Sequence, residues 1–168
     1  DVYRAVTHNK GIMNGIISVA NAVGQDSRAI EAAANAYAAI SGKYRSLSKW
    51  SKDSDGNLVG ILDIPLSVGI VGGIVNVHPV AKVCAKILNV ESAQELACVM
   101  TATGLAQNYS AIRALSTEGI QKGHMRLHAR NLAAAAGATS AQIDQIVEQM
   151  IQTKSISLDN AKKLLRQI

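Results

Sequence analysis

Four side chains in this 168-residue sequence are of types that do chemistry and sit beside unusual neighbours: Lys10 after His8 and Asn9, Asp26 after Gly24 and Gln25, and His124 and His128 four residues apart. An ammonium can stabilise or protonate an oxyanion as it develops. An imidazole titrates near neutrality and can deliver a proton. Two histidines four apart share one helix face, which raises zinc. The glutamate of a metalloprotease helix is missing, however, with Met125 and Arg126 in its place, so no metal is expected. By residue type alone, Lys10 reads as a solvated cation at a helix start, Asp26 as a helix cap and His124 as a polar residue at a helix entrance.

The elements that must carry these groups are mostly helical. Ile12, Ile16, Val19, Ala20 and Val23 recur at three- and four-residue steps, predicting an amphipathic helix from Gly11 to Val23 that Gly24 ends. Asp26 is placed to cap a second, alanine-rich helix over 29–40. Ser54-Asp55-Gly56-Asn57 is a turn signal, and the β-branched residues 58–64 after it predict a hairpin, with Pro65 excluded from a central ladder position. The glycines within residues 68–74 mark a place where the backbone bends or approaches another chain.

Helices then resume, one over 79–88 behind His78-Pro79 and one from the capping box Ser92-Ala93-Gln94-Glu95 to about Leu115. Three short helices follow. An alanine run closes at Gly137, Thr139-Ser140-Ala141-Gln142 forms a second capping box, and Ile143, Ile146, Val147, Met150 and Ile151 line one face of the helix behind it. Ser157 caps a last helix with Leu158, Ala161, Leu164, Leu165 and Ile168 inward. The expected fold class is α+β: a mostly helical part of a large domain with a small β-sheet over 1–122, and a mobile three-helix flap over 123–168.

Composition narrows the function classes. With 48% apolar and 17% charged residues the chain is globular, and with no Phe and one Trp its core must be built from Ala, Ile, Leu and Val. The formal charge of +5 is dispersed, without a basic stripe interleaved with aromatics, so no nucleic acid partner is expected. An anionic small substrate accounts for the excess equally well. No run of about 18 apolar residues reads as a membrane span. Cys84 and Cys98 fall in apolar helical patterns and are expected as inert core thiols; with no export signal this favours a reducing cytoplasm. Asp1-Val2-Tyr3-Arg4 reads as an internal stretch of a longer chain.

Four strings, Thr7-His8-Asn9-Lys10-Gly11-Ile12-Met13-Asn14-Gly15, Gly24-Gln25-Asp26, Gly104-Leu105-Ala106-Gln107-Asn108 and Gly123-His124-Met125-Arg126-Leu127-His128-Ala129-Arg130-Asn131, resemble in order and spacing the class II 3-hydroxy-3-methylglutaryl-CoA (HMG-CoA) reductases. The resemblance covers the chain except for roughly its last 30 residues, and it implies the C-terminal part of such an enzyme. It implies reduction of HMG-CoA to mevalonate and CoA by two hydride transfers from NADPH or NADH, in isoprenoid biosynthesis. It also implies a homodimer with its active site at the subunit interface.

Matched by motif, Lys10 is implied as the catalytic lysine, Asp26 as its aspartate and His124 as the general acid that protonates the departing CoA thiolate. A carboxylate near such an ammonium favours its charged form and orients it. Arg4 is implied to hold the substrate carboxylate through bidentate donors. Asn14, Gln107 and Asn108 are implied around the substrate and the lysine, with hydrogen bonding inside a helical core as their other reading. Arg126, His128 and Arg130 are candidates for CoA phosphates, or else solvated side chains.

The family's catalytic glutamate and nicotinamide-binding domain lie upstream of the matched residues, in an N-terminal portion absent here, so the cofactor site is unassigned and the segment alone is expected to be inactive. The competing readings are a non-catalytic helical CoA-binding module and the reductase part of a bifunctional acetyl-CoA acetyltransferase/HMG-CoA reductase.

Overall fold

Helix α1 spans Val2–Ala22, and so begins well before the predicted start at Gly11. The first turns offer only Val2, Ala5 and Val6 at helical steps before the polar run 7–10, but Asp1 caps them, its carboxylate accepting from the backbone N–H groups of Tyr3 at 3.0 Å and Arg4 at 3.3 Å. Lys10 is therefore mid-helix rather than at a helix start. Gly24, at φ 69°, ends the element, and Asp26 then caps α2, Ser27–Ala39, by accepting from the Ala29 N–H at 3.1 Å.

The structure is a computed structural model describing residues 1–168 apart from Glu118 and the side chains of Val75, Ile120, Gln121 and Lys122. Among the described residues the chain is mostly helical with one two-stranded antiparallel sheet. It divides into two compact units, Asp1–Ile112 and Arg113–Ile168.

In the first unit, Ile12, Ile16 and Ala20 of α1 pack with Ile30 and Ala34 of α2 and with Leu96 and Met100 of α4, Ala93–Ser116. Glycine brings α1 and α4 into backbone contact. A Cβ on Gly15 would stand 2.6 Å from the carbonyl oxygen of Thr103, and one on Gly104 would stand 2.8 Å from Ile16 Cγ1. Gly69, by contrast, has open space where its Cβ would stand. Gly72 and Gly73, at φ 79° and 64°, supply the predicted bend.

The hairpin joins β1, Ser48–Lys52, to β2, Leu58–Leu62, with Trp50 opposite Gly60. The Trp50 indole lies over that glycine, and a Cβ there would meet its ring at 2.6 Å. Helix α3, Pro79–Leu88, starts behind His78 with proline in its first turn, as its sequence predicts. Glu95 N–H donates to Ser92 Oγ at 3.1 Å to open α4. Cys98 is exposed on α4 and Cys84 is half-buried on α3, which corrects the expectation that both are core thiols. The apolar period of α4 is weak enough that a small thiol falls on its open side.

The second unit holds α5, Ile120–Ala135, α6, Ser140–Gln152, and α7, Leu158–Leu165. Ala129, Ala133 and Ala161 pack against Ile146, Val147 and Met150, and the alanines let the three axes approach closely. Thr139 N–H donates to Gln142 Oε1 at 3.0 Å and Asn160 N–H to Ser157 Oγ at 3.2 Å, as the predicted caps require. Ile168, predicted inward, lies beyond the end of α7 and is exposed. No described helix is long and apolar enough to cross a membrane.

Candidate functional site

Lys10 projects from an exposed position on α1, and Asn14 follows on the same face one turn later. Gln107, on α4, comes beside them because α1 has glycine at position 15, where a Cβ would lie 3.0 Å from Gln107 Cβ. The missing side chains let two helices approach closely enough for an ammonium and two carboxamides to share one open surface. Arg4 is exposed roughly 9 Å back along the α1 axis and pairs with Asp1 at 3.5 Å.

Beneath this surface lies a polar network. Asn108 is fully buried. Its side-chain oxygen accepts from Ser48 Oγ at 2.8 Å and from Trp50 Nε1 at 2.8 Å, and its nitrogen donates to the carbonyl oxygen of His8 at 3.3 Å. Since the Ser48 hydroxyl proton is committed to Asn108, the 2.6 Å contact between His8 Nε2 and Ser48 Oγ requires Nε2 to be the donor. Burial holds the His8 imidazole below its ordinary titration range, so the neutral Nε2–H form fits its surroundings. Asn9 completes the anchoring by donating to the Arg45 carbonyl at 2.8 Å and accepting from the Leu47 N–H at 2.9 Å. Every polar atom of the Asn108 side chain is thus engaged within the protein, in line with its other reading as a core hydrogen-bonding residue. Through the His8 carbonyl it anchors the turn of α1 that carries Lys10.

Asp26 does not join Lys10 within one chain. Twelve residues of α1 separate Lys10 from the helix end at Ala22, a rise of roughly 18 Å, several times what a lysine side chain spans. Asp26 is exposed, one oxygen on the Ala29 N–H. The turn that bears it is held by Gln25, whose side-chain amide pairs with the Gly69 peptide: Nε2 donates to the Gly69 carbonyl at 2.8 Å and the Gly69 N–H donates to Oε1 at 2.9 Å.

In the second unit, His124 and His128 are both exposed on α5, and no group of three potential metal ligands occurs among the described residues. Arg126 pairs with Glu148 at 2.6 Å and Arg130 with Asp144, both on α6. These two arginines, offered as candidates for phosphate, are engaged in bracing α5 against α6.

Ser48, Trp50 and Gln25 escaped the sequence reading. Ser48 and Trp50 sit in a strand whose partners are 60 and 58 residues away, a separation at which no local pattern operates. Gln25 lies within Gly24-Gln25-Asp26, with only its position beside Asp26 to single it out.

The first unit is a mostly helical α+β fold that exposes a lysine and two carboxamides beside a buried asparagine network. The chain belongs to the hydroxymethylglutaryl-coenzyme A reductase family, whose pattern it matches over residues 1–129. It is 55% identical over its whole length to the 3-hydroxy-3-methylglutaryl-coenzyme A reductase of Archaeoglobus fulgidus, covering 38% of that protein. It is 42% identical to a probable reductase of the same name from Borreliella burgdorferi, with 98% of this chain and 39% of that one covered. Among solved structures, the 3-hydroxy-3-methylglutaryl-coenzyme A reductase of Streptococcus pneumoniae superposes with a TM-score of 0.68 at 42% identity, over 99% of this chain and 40% of that one. A class II reductase from the same organism, bound to NADPH in open conformations, gives 0.67 at 43% identity, over 99% of this chain and 41% of that one. The chain therefore spans about two fifths of the length of the relatives it matches.

Proposed function

We propose that the complete protein reduces HMG-CoA to mevalonate and CoA, and that this chain supplies its lysine, its aspartate and its general acid. The observation that carries this reading is that the family match extends to residue 129 and so includes Lys10, Asp26 and His124. A nicotinamide cofactor, NADPH or NADH, would supply the hydride in each of two steps; the groups that bind it belong to a portion outside this chain, as does the catalytic glutamate.

Lys10 stands at the thioester carbonyl oxygen, where its ammonium stabilises the negative charge that appears as the carbonyl carbon becomes tetrahedral. Asn14 and Gln107, beside it on the same surface, orient the substrate, and Arg4 holds its carboxylate. When the carbon–sulfur bond breaks, the electron pair leaves on the CoA thiolate and His124 protonates it. Closure of the three C-terminal helices over bound substrate would bring His124 into place and exclude water.

Because one chain keeps Lys10 and Asp26 apart, the pair forms between two copies in a homodimer, with Lys10 of one facing Asp26 of the other. The exposure of both side chains supports this arrangement. No metal ion takes part in this reading, and the protein would act in the cytoplasm within isoprenoid biosynthesis.

The test is to express the complete gene and follow nicotinamide absorbance with HMG-CoA. Turnover that depends on HMG-CoA, and that falls by about 100-fold or more in His124→Gln while helical circular dichroism is retained, is the expected result. Wild-type protein that binds HMG-CoA without oxidising the nicotinamide would overturn it in favour of a CoA-binding module.

A further inference from the structure

A cavity of 580 Å³ opens in the first unit at the far end of α1 from Lys10, between the Gln25 turn, the glycine-rich segment and α3. Its floor is apolar, formed in part by Val23 and Leu96, each 2% exposed. Lys82, Lys86, Asn76 and Asn89 stand on its polar side. Lys82 and Lys86 are one turn apart on α3, so they share a face at a Cβ separation of roughly 6 Å. No lining residue is acidic, and among the described residues no ion pair engages either lysine. A lysine in the last turn complements the carbonyls at the end of α3. Two together with no carboxylate exceed that need and leave the cavity positive.

The wall opposite the lysines is fixed. Gln25 spends both ends of its amide on the Gly69 peptide, so it holds the glycine-rich segment in place and leaves the ammonium groups and the two asparagines to meet a ligand. A volume in this range accommodates an organic ligand rather than a lone ion.

We infer that this cavity is an anion subsite for a phosphate ester or diphosphate, its charge held by Lys82 and Lys86 and its less polar portion lying on Val23 and Leu96. The subsite does not depend on the reductase reading. Lys10 lies roughly 18 Å from the end of α1 that borders the cavity, so the ammonium groups of Lys82 and Lys86 are separate from the one assigned to the carbonyl oxygen.

Inorganic pyrophosphate titrated into the complete protein, with heat of binding as the readout, tests it. The variants are Lys82→Gln, Lys86→Gln, the pair together, and Lys162→Gln/Lys163→Gln on α7 as a control of equal charge change. All four lysines are exposed, so helical circular dichroism is expected to be unchanged throughout. Saturable binding that weakens at least about tenfold in the Lys82/Lys86 pair and less than about twofold in the control is the expected result. Failure to saturate below roughly 10 mM, an unchanged Kd in the pair, or equal loss in the control would overturn the subsite.

Two further titrations say whose phosphate it takes. Displacement of pyrophosphate by CoA or NADPH assigns the subsite to a ligand of the reaction, whereas binding alongside both assigns it to a separate phosphorylated effector; either result upholds the site. Binding is read without turnover, so an inactive protein that still binds pyrophosphate at these lysines sinks the reductase reading and leaves the subsite standing.

Discussion

Asn108 donates from its side-chain nitrogen to the backbone carbonyl of His8, one hundred residues earlier, at 3.3 Å. The contact ties α4 to α1 two residues before Lys10. The same asparagine's oxygen takes the Ser48 and Trp50 donors of β1, so one buried side chain joins three elements directly beneath the surface on which the lysine stands.

Replacing Asn108 with Leu removes the shared acceptor of the buried Ser48 hydroxyl and the half-buried Trp50 N–H. A fully buried unsatisfied donor costs about 1–3 kcal/mol and one that water partly reaches costs less, so the variant is expected to lose about 2–4 kcal/mol of unfolding free energy. Denaturant titration of the complete protein checks this, and a loss below about 1 kcal/mol would show that water reaches the network.

Gly15→Ala and Gly69→Ala are the same chemical change in opposite surroundings. The first puts a Cβ 2.6 Å from a backbone oxygen on α4, which no rotamer relieves; overpacking of this kind costs about 1–3 kcal/mol. The second meets open space at an ordinary φ and is expected to change stability by less than about 0.5 kcal/mol. Thermal melts of the two variants, run side by side, should separate them clearly.

His8 gives stability a pH dependence whose sign follows from burial. Its folded titration lies below the ordinary value of 6.5 because burial disfavours the charged ring. As pH falls through 6.5 the unfolded chain takes up a proton that the folded chain does not, and stability drops until the folded ring titrates as well. His8→Gln, which retains a donor for Ser48, should remove that part of the slope between pH 6.5 and the lower folded value. Identical pH profiles for wild type and variant would show that other groups carry the dependence.

If Lys10 and Asp26 meet across two subunits, variants at the two positions should complement one another. Lys10→Met and Asp26→Asn are each expected to be nearly inactive. Random pairing on co-expression makes about half of the dimers mixed, each with one intact site of two, so about a quarter of wild-type activity should return. Mixed dimers isolated with two affinity tags and found inactive would place both residues in one subunit's site.

The local devices were legible in the sequence because their signals are short-range. Asp26 as a cap, the Ser92 and Thr139 capping boxes, Pro79 in the first turn of α3 and the turn before β2 each depend on atoms within about five residues of one another. The start of α1 is not legible in the sequence because the short apolar set Val2, Ala5 and Val6 is cut off from the longer period by the polar run 7–10, and the cap at Asp1 lies ahead of both. Family strings identified Lys10, Asn14 and Gln107 by type and order without telling that Gly15 is what lets them share a surface.

What the sequence by itself determined is the set of helices, their caps and the family, because these rest on residue identity and short spacing. Only the tertiary structure decided that Asn108 is buried and fully engaged, that His8 donates through Nε2, that Gln25 clamps Gly69, and that one chain holds Lys10 and Asp26 apart. Each of those depends on where a rigid helix of fixed rise carries its residues and on which distant backbone it meets, and no local pattern encodes either.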